Sequence, residues 1–263
     1  HPPTTQIYTV LTSSAASDVY KRQVSAVLEH NPSRVAQLYI SGTSRNRRLD
    51  SIRQLASQHG VAVHAVSRDK LDRLSSGQMH QGIIARCQTL QKKGDKELLW
   101  DIKSLKHPAM LLVLDGVQDP HNLGACIRSL NGAGGDGVVL PKDRSAPITA
   151  VAHKSASGAM ETTPVYHVTN LARSLQQLKD ETGLWIYGTS DKAEKSIYQL
   201  DFNEPFALVL GTEGKGVRRL VAEQCDQLVS IPMQGSVSSL NVSVATGVCC
   251  YEALRQRNLK NNL

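Results

Sequence analysis

The feature that most constrains the fold is an alternation of short apolar runs with amphipathic stretches from residue 24 onward. Several of the runs have no polar face, which is typical of strands covered by helices on both sides. In such mostly parallel α/β sheets, ligands bind at the carboxyl ends of the strands. In the rear part of the chain this pattern predicts strands at residues 110–114, 137–140, 164–168, 184–187, 206–210 and 227–231.

The front part shows the same alternation with shorter elements. We interpret residues 24–87 as a small α/β domain, the polar stretch 88–107 as a linker, and residues 108–263 as a second α/β domain. The elements predicted in front are a helix that ends at residue 30, strands at 37–41, 61–66 and 82–87, and helices at 47–59 and 69–75.

Charge is unevenly divided between the two parts. Residues 24–105 contain 13 Lys+Arg and 7 Asp+Glu, whereas residues 106–263 contain 15 of each. A front excess of six positive charges favours contact with a polyanion, because each basic side chain placed on a phosphate releases counterions. Charge alone is equally compatible with an ordinary solvated surface.

Residues 1–23 need separate treatment. The stretch 13–23 (SSAASDVYKRQ) resembles the conceptual translation of a transposase adapter used in short-read sequencing. We expect residues 1–23 to be partly or wholly foreign to the native protein, in place of the original start of the first domain, and we exclude them when assigning function.

Several classes of protein are disfavoured by composition. The five cysteines are scattered without C-x-x-C spacing and the nine histidines form no H-x-x-H pair, which favours reduced core thiols over a metal site. No apolar run approaches the roughly 20 residues that span a bilayer, and the amino end has no pattern of a secretory signal. We therefore expect a cytoplasmic protein that binds neither a metal nor a membrane.

Three segments at the ends of predicted strands contain the polar residues from which a site can be built. In loop 1 (residues 114–129), Asn122 is predicted to cap a helix on which Arg128 lies less than two turns further. Loop 2 (residues 210–219, LGTEGKGVRR) has three glycines in six residues, which permit close approach of backbone to a ligand.

Loop 3 (residues 230–247) passes from a strand through a Ser/Gly stretch into a helix of small residues. Small side chains imply tight contact with another backbone, either within the subunit or across a dimer. Taken singly, each of the three loops also has a purely structural interpretation, as a helix cap or a tight turn.

Taken together, the three loops closely resemble the three motifs of the SpoU class of SPOUT (TrmH-family) RNA 2′-O-methyltransferases, over almost all of residues 24–263. Within that class, the segments 80–82 (HQG), 141–145 (PKDRS) and 235–241 (GSVSSLN) are similar to the bacterial 23S rRNA guanosine 2′-O-methyltransferases. The clear departure from the family pattern is the amino end.

The resemblance implies an α/β-knot fold, in which the carboxyl-terminal segment threads a loop to form a deep trefoil knot, preceded by an L30e-like RNA-binding domain. It also implies S-adenosylmethionine as the cofactor and a homodimer with the site near the subunit interface. The implied activity is methylation of a guanosine ribose in the P-loop hairpin of the 23S rRNA peptidyl-transferase centre, in support of ribosome biogenesis.

The family motifs further imply individual site residues. Backbone groups of Gly211, Ile231 and Leu240 are expected to hold the cofactor, in a pocket lined by Thr189, Leu210 and Met233. Arg128 and Asn122 are expected to face the ribose, and Glu213, Ser239 and Asn241 to organise the site. The family arginine is proposed as a general base, but a guanidinium with an ordinary pKa above about 12 is an unusual base. Holding a phosphate and stabilising the forming alkoxide is an equal alternative for Arg128.

Two other functions remain open. An enzyme of the same class could methylate tRNA ribose, although the basic front domain favours rRNA. A non-catalytic RNA-binding assembly factor could keep the fold, but it would be expected to lose motif residues, and all five candidate catalytic residues are present. Methyl transfer to tRNA and to 23S fragments distinguishes the first alternative, and binding of S-adenosylmethionine distinguishes the second.

Overall fold

A computed structural model describes residues 8–10, 19–42, 47–75, 80, 82–88, 93–214 and 216–261 of the chain. By their internal contacts, His1–Gln91 and Ile148–Thr162 form a first compact unit, and Lys92–Pro147 and Thr163–Leu263 form a second. Much of the adapter-like segment, residues 1–7 and 11–18, lies outside the described residues, as does Gln81 of the HQG segment.

The elements of the described part are numbered along the chain. The strands are β1 (Tyr8–Val10), β2 (Val35–Ser41), β3 (Val63–Val66), β4 (Ile83–Gln88), β5 (Met110–Leu114), β6 (Gly137–Pro141), β7 (Val165–Val168), β8 (Trp185–Thr189), β9 (Phe206–Leu210) and β10 (Gln227–Val229). The helices are α1 (Val19–His30), α2 (Arg47–Gln58), α3 (Arg68–Leu74), α4 (Asp95–Ser104), α5 (Pro120–Gly132), α6 (Ala150–Ala156), α7 (Leu171–Thr182), α8 (Arg219–Ala222) and α9 (Val242–Asn261). Short 3-10 helices occur at Pro32–Arg34, Ala159–Glu161 and Ile197–Gln199.

The first unit is built on a mixed sheet with strand order β1-β4-β2-β3. Strand β2 is parallel to β3 and antiparallel to β4, and β1 pairs antiparallel with β4. Helix α2 turns Leu49, Ile52 and Ala56 inward, and this spacing of three and four residues places one apolar face on the core. The strands and helices predicted for the front part are confirmed as β2, β3, β4, α2 and α3.

The first unit also contains the segment Ile148–Thr162, which lies in the chain between β6 and β7 of the second unit. The Glu161 carboxylate forms an ion pair with Arg34, and Asn31 Nδ2 donates a 2.6 Å hydrogen bond to the Glu161 carbonyl. Arg34 Nη2 also donates to the Gln88 carbonyl at 2.9 Å. Burial, assisted by the charge of Arg34, lowers the pKa of His153 to about 4. Charged and polar contacts thus fasten this segment to the residues that follow α1 and, through Arg34, to the end of β4.

The second unit is built on a six-stranded sheet with order β10-β8-β9-β5-β6-β7, in which every neighbouring pair is parallel. Strands β5, β6 and β9 are buried at every residue, as continuous apolar runs predict. From β5 the chain runs outward through β6 to β7, and it returns to place β9 on the other side of β5. Such a reversal opens a crevice at the carboxyl ends of the strands, where ligands of α/β proteins bind. The predicted α/β architecture with a parallel sheet is confirmed.

Half of the stretch predicted as a linker is instead the packed helix α4. Leu98 and Ile102, four residues apart, are buried in the core of the second unit. Asp101 accepts hydrogen bonds from Lys93 at 2.6 Å and from the Tyr166 hydroxyl at 2.7 Å. Burial opposes ionisation of Asp101, but these two hydrogen bonds hold its pKa below the ordinary value. The many charged residues around the apolar pair concealed a helix with a narrow buried face.

The cysteines are unpaired, and four of them, Cys87, Cys126, Cys249 and Cys250, are buried. Burial raises the pKa of the Cys87 thiol to about 12 and that of Cys126 to about 11, so both stay protonated at neutral pH. Within the described ranges, no helix has the length and apolar character required to cross a membrane. In the same part of the chain, no three or more His, Cys, Asp or Glu side chains are grouped in a way that could hold a metal ion.

Candidate active site

Loop 1 begins at the end of β5 and leads into α5, which starts earlier than the sequence predicted. The residue that caps α5 is Asp119, whose side chain accepts a 2.9 Å hydrogen bond from the His121 N–H. Pro120 occupies the first helical position, where its fixed φ and missing N–H are favourable. The prediction that Asn122 caps this helix is therefore wrong. Asn122 lies in the first turn of α5, and its side chain bonds to loop 3 instead.

Three polar side chains, one from each loop, meet in a group that we call the amide cluster: Asn122, Glu213 and Asn241. Asn241 Nδ2 donates to Asn122 Oδ1 at 3.1 Å and to Glu213 Oε1 at 2.9 Å. Asn241 Oδ1 accepts from the N–H and the hydroxyl of Ser243, at 2.9 and 2.6 Å. Since Oδ1 faces two donors, the orientation of the amide is fixed and Nδ2 must face the other two members. The structure thus brings together residues separated by up to 119 positions.

A cavity of about 400 Å³ lies in the second unit beside the amide cluster. Its volume is within the range of about 300–1,000 Å³ that is usual for small-molecule sites. Glu213 of the amide cluster and the exposed Ser239 contribute to its wall. All six residues predicted to hold a cofactor line it, namely Thr189, Leu210, Gly211, Ile231, Met233 and Leu240.

Loop 2 folds back on itself at the wall of this cavity. The Thr212 and Gly216 backbones exchange two hydrogen bonds, with N···O distances of 3.2 and 2.9 Å. A Cβ atom at Gly211 would lie 2.0 Å from the carbonyl carbon and oxygen of Gly216 and 2.3 Å from the Val217 nitrogen. Real Cβ atoms essentially never approach other heavy atoms this closely, so glycine is required at residue 211. Gly211 therefore allows one backbone segment of loop 2 to pass close to another, and the close approach of this backbone to a ligand stays a prediction.

An ion pair that was not predicted from the sequence fastens loop 2. Asp115, the residue after β5, is buried, and its carboxylate accepts hydrogen bonds from Arg218 Nε at 2.6 Å and from the Arg218 backbone N–H at 2.8 Å. Arg218 Nη2 also contacts the same carboxylate. A buried carboxylate is expected to be paired with a cation. The aspartate directly after the apolar run MLLVL was therefore the feature of the sequence that indicated a buried ion pair.

Arg128 is placed differently from the amide cluster. It lies on α5 six residues after Asn122, and its side chain is exposed. A rise of about 1.5 Å per residue separates the two Cα atoms by about 9 Å along the helix axis. Arg128 is also not among the residues that line the cavity. The predicted site residues therefore fall into three groups. Some belong to the hydrogen-bonded amide cluster, others line the cavity, and Arg128 is an exposed cation on α5, the helix that also carries Asn122.

Helix α9 packs against α5 and carries loop 3 to this position. Thr246 is buried, and its hydroxyl lies 3.3 Å from Cys126 Sγ and 2.8 Å from the Val242 carbonyl. The position of a Cβ at Gly247 is 3.8 Å from Ser129 Oγ, which shows how closely the two helices approach. Thr246 and Gly247 of loop 3 thus pack against α5 within the subunit, and close contact across a dimer stays a prediction.

Comparison with known proteins gives matches over both units. The family model described as SpoU rRNA Methylase family matches residues 109–251, and the model described as RNA 2′-O ribose methyltransferase substrate binding matches residues 21–93. The chain is 50% identical over 236 residues to the 23S rRNA (guanosine-2′-O-)-methyltransferase RlmB of Escherichia coli K12, which covers 89% of this chain and 96% of that protein. It is 47% identical over 234 residues to the RlmB protein of Haemophilus influenzae, covering 89% of this chain and 95% of that protein.

A solved structure shares the fold. The crystal structure of the SpoU methyltransferase AviRb from Streptomyces viridochromogenes, in complex with the cofactor AdoMet, has a TM-score of 0.77. The two chains are 22% identical, and the match covers 96% of this chain and 91% of that one. The family resemblance of the three loops is confirmed by the family model and by relatives that are about half identical: the chain belongs to the SpoU rRNA methylase family.

Proposed function

We propose that the protein transfers a methyl group from S-adenosylmethionine to the 2′-oxygen of a guanosine ribose in 23S rRNA. The observation that carries this proposal is the convergence of three loops on one cavity, with Asn241 hydrogen-bonded to both Asn122 and Glu213. Relatives named 23S rRNA (guanosine-2′-O-)-methyltransferase support 23S rRNA as the substrate and guanosine as the nucleoside that is modified. We take the P-loop hairpin of the peptidyl-transferase centre as the target, which assigns the protein to ribosome biogenesis in the cytoplasm.

The cavity is suited to S-adenosylmethionine in size and in lining. Leu210, Ile231 and Met233 offer apolar surface for the adenine ring, and the bare backbone at Gly211 allows close approach of polar ligand atoms. Backbone groups of Gly211, Ile231 and Leu240 would hold the adenosine and methionine parts, with Thr189 beside them. When bound, S-adenosylmethionine supplies an electrophilic methyl group on a sulfonium centre.

The ribose hydroxyl has to be activated by the protein, since a 2′-hydroxyl is a poor nucleophile until its proton leaves. We assign to Arg128 the stabilisation of the forming alkoxide and the binding of the adjacent phosphate, because an exposed guanidinium offers several donors and keeps its charge. Asn122 faces the same ribose. Glu213 and Asn241 position Asn122 through the amide cluster, and Ser239 lies at the wall between cluster and cofactor.

Replacement of this arginine tests the assignment. In Arg128→Ala, we expect kcat on 23S rRNA to fall by about 100- to 1,000-fold, the usual effect of removing one donor to a developing oxyanion. Calorimetry should show unchanged binding of S-adenosylmethionine, because Arg128 does not line the cavity. Arg173→Ala, which removes an exposed arginine from α7, is the matched control and should keep full activity. Full activity of Arg128→Ala would refute the assignment.

The substrate is tested by offering purified protein two RNAs with labelled S-adenosylmethionine. We expect methyl transfer to a 23S fragment that contains the P-loop hairpin and none to tRNA. Mapping of 2′-O-methylation in rRNA from cells that lack, and then regain, the gene identifies the nucleotide. Transfer to tRNA alone would indicate the related tRNA enzyme. Absence of S-adenosylmethionine binding would indicate a non-catalytic assembly factor.

We also propose a homodimer joined through the exposed side of α9. Val244 and Tyr251, seven residues apart on this helix, are 51% and 53% exposed, and they flank the half-buried Gly247 and Val248. An exposed apolar stripe of this kind is suited to packing against a second copy. Sedimentation of the purified protein should give the mass of two chains, and a monomer at micromolar concentration would contradict this.

We also propose two features of the fold that are more specific than its α/β class. We propose that residues 24–87 form an L30e-like RNA-binding domain and that residues 108–263 contain a trefoil knot. Strand β10 is at the edge of the sheet, three positions from β5, yet Asn241 reaches Asn122 beyond the end of β5. This return of the chain across the sheet supports a threaded carboxyl-terminal segment.

A further inference from the structure

The proposed activity leaves unexplained a basic loop after β6, residues 142–146 (KDRSA). We propose that Lys142 and Arg144 bind the sugar–phosphate backbone of the RNA near the methylated ribose. The inference rests on the proposed methylation of RNA, and it adds a substrate contact within the second unit, separate from the basic front part of the chain.

The position of this basic loop places it on the side of the sheet where the chemistry is proposed. Strand β6 is parallel to β5, with Val139 opposite Val113, so the basic loop and loop 1 leave the sheet at the same edge. The Ala146 N–H donates a 2.7 Å hydrogen bond to the Val117 carbonyl in loop 1. The basic loop is thereby fastened to the segment that leads to Asn122.

The backbone of the basic loop is strained at Arg144. Its φ is +59°, in the left-handed region that favours glycine. The Ser145 hydroxyl donates a 2.7 Å hydrogen bond to the Pro141 carbonyl and closes the turn. Within the described part of the chain, Ser157 is the one other non-glycine residue with a positive φ. An arginine kept where glycine would cost less indicates that its side chain is used.

The side chains of Lys142 and Arg144 are available to a ligand. Both residues are exposed, and in the ranges described by the structure no hydrogen bond or ion pair engages either side chain. By contrast, Arg218 and Arg255 of the same unit are paired with carboxylates. Unpaired cations retain counterions that a phosphate can displace, which favours binding.

The charge of the basic loop and its place outside the cavity restrict the class of ligand that it can bind. Asp143, also exposed, lies between the two cations, so the loop has a net charge of only +1. Bulk attraction is therefore weak, and the expected interaction is contact with one or two phosphates. Lys142 and Arg144 do not line the cavity, so the ligand is distinct from the cofactor. The phosphates of the RNA backbone meet both conditions.

The test compares Lys142→Gln and Arg144→Gln with the native protein in binding to a 23S hairpin fragment at several salt concentrations. Each variant should bind about fourfold more weakly at about 0.15 M salt, and the slope of log K against log salt should fall by about 0.7 to 0.9 per lost contact. KM for RNA should rise while kcat at saturating RNA and the affinity for S-adenosylmethionine stay unchanged.

Three further variants separate charge from structure. Lys106→Gln removes an equally exposed lysine that precedes β5, at the opposite edge of the sheet, and should bind RNA normally. Arg144→Gly keeps the left-handed turn without strain, so it should retain its Tm and still bind RNA as weakly as Arg144→Gln. Asp143→Asn should bind RNA as tightly as the native protein or more tightly.

The possible outcomes are distinct. If the native protein methylates rRNA and the Gln variants keep its affinity and salt slope, the inference is wrong and the proposed function stands. Weakening by Asp143→Asn as large as that by Lys142→Gln would show that the shape of the loop matters rather than its charge, which also overturns the inference. A native protein that binds no 23S fragment overturns both proposals.

Discussion

A buried carboxylate is paired with an arginine in each of the two units, and the comparison separates two uses of the same chemistry. In the first unit, Glu161 and Arg34 have side chains that are only 4% and 16% exposed. In the second, the Asp115 side chain is fully buried, but Arg218 is 45% exposed. The first pair holds a whole segment, Ile148–Thr162, to the sheet of its unit. The second pair holds one loop at the wall of the cavity.

The two ion pairs differ in their exposure to solvent, and this exposure decides whether removal of the pair is measured as a loss of stability or as a loss of order in a loop. When both partners are buried, removal of one leaves an uncompensated charge inside the protein, and the cost appears as lost stability. When the arginine is half in water, it can be solvated again, and the main loss is the order of the loop that it held. We therefore expect the first pair to govern folding and the second to govern cofactor affinity.

The largest expected effect is from Glu161→Gln. Breaking a buried pair costs about 3 kcal/mol, which should lower the protection of β2 and β4 amides in hydrogen exchange by about 100-fold. Binding of S-adenosylmethionine should be unchanged. The control is Glu223→Gln, which breaks an exposed pair with Arg219 and should change stability by less than about 0.5 kcal/mol. Unaltered hydrogen exchange in Glu161→Gln would show that the Glu161–Arg34 pair does not govern folding.

The next effect is from Asp115→Asn. We expect a loss of about 2 kcal/mol, below the full value for a buried pair because Arg218 is partly solvated, and about thirtyfold weaker binding of S-adenosylmethionine in calorimetry. Affinity for RNA measured without the cofactor should not change. Arg218→Lys keeps the charge but not the forked geometry, so its affinity should be intermediate. Normal cofactor affinity in Asp115→Asn, with reduced stability, would mean that both pairs serve folding alone.

The smallest expected effect is a dependence of the stability of the first unit on pH. His153 titrates near its usual 6.5 in the unfolded chain, but burial lowers its pKa to about 4 in the folded protein. The unfolded state therefore binds more protons between these values, so stability is complete above pH 6.5 and declines as the pH falls towards 4. Going from about pH 7.5 to 5.5 should cost about 1.4 kcal/mol, or tenfold in the exchange protection of β2 amides. His153→Gln should abolish this part of the pH dependence, and an unchanged profile in that variant would count against it.

The parts of the fold that the sequence predicted well are those in which local pattern and burial agree. Strands β5 and β9 are apolar at every residue because helices cover the sheet on both sides, and such runs are visible without a structure. Helix α4 was missed because its two buried residues, Leu98 and Ile102, are surrounded by charged neighbours. The start of α5 was misplaced because aspartate and asparagine are both good caps, and only Pro120 distinguishes them.

For the candidate site, candidate residues could be named from the sequence, but the hydrogen bonds that connect them could not be predicted. The family motifs indicated Asn122, Glu213 and Asn241, yet no local rule says that the third donates hydrogen bonds to the other two. The pair of Asp115 and Arg218 joins positions 103 residues apart, a separation over which sequence pattern has no information about contact. Membership of Ile148–Thr162 in the first unit is likewise a tertiary fact, because in chain order the segment lies among the strands of the second.

That membership has a consequence for the order in which the protein is completed on the ribosome. A nascent chain that ends shortly after β4 does not yet contain Glu161, so the first unit must wait for two strands of the second to be synthesised before its ion pair can form. Asn241 is translated later still, 80 residues after Glu161. Translation therefore supplies both residues of the first ion pair before the amide cluster can close, so the first unit is completed before the candidate site.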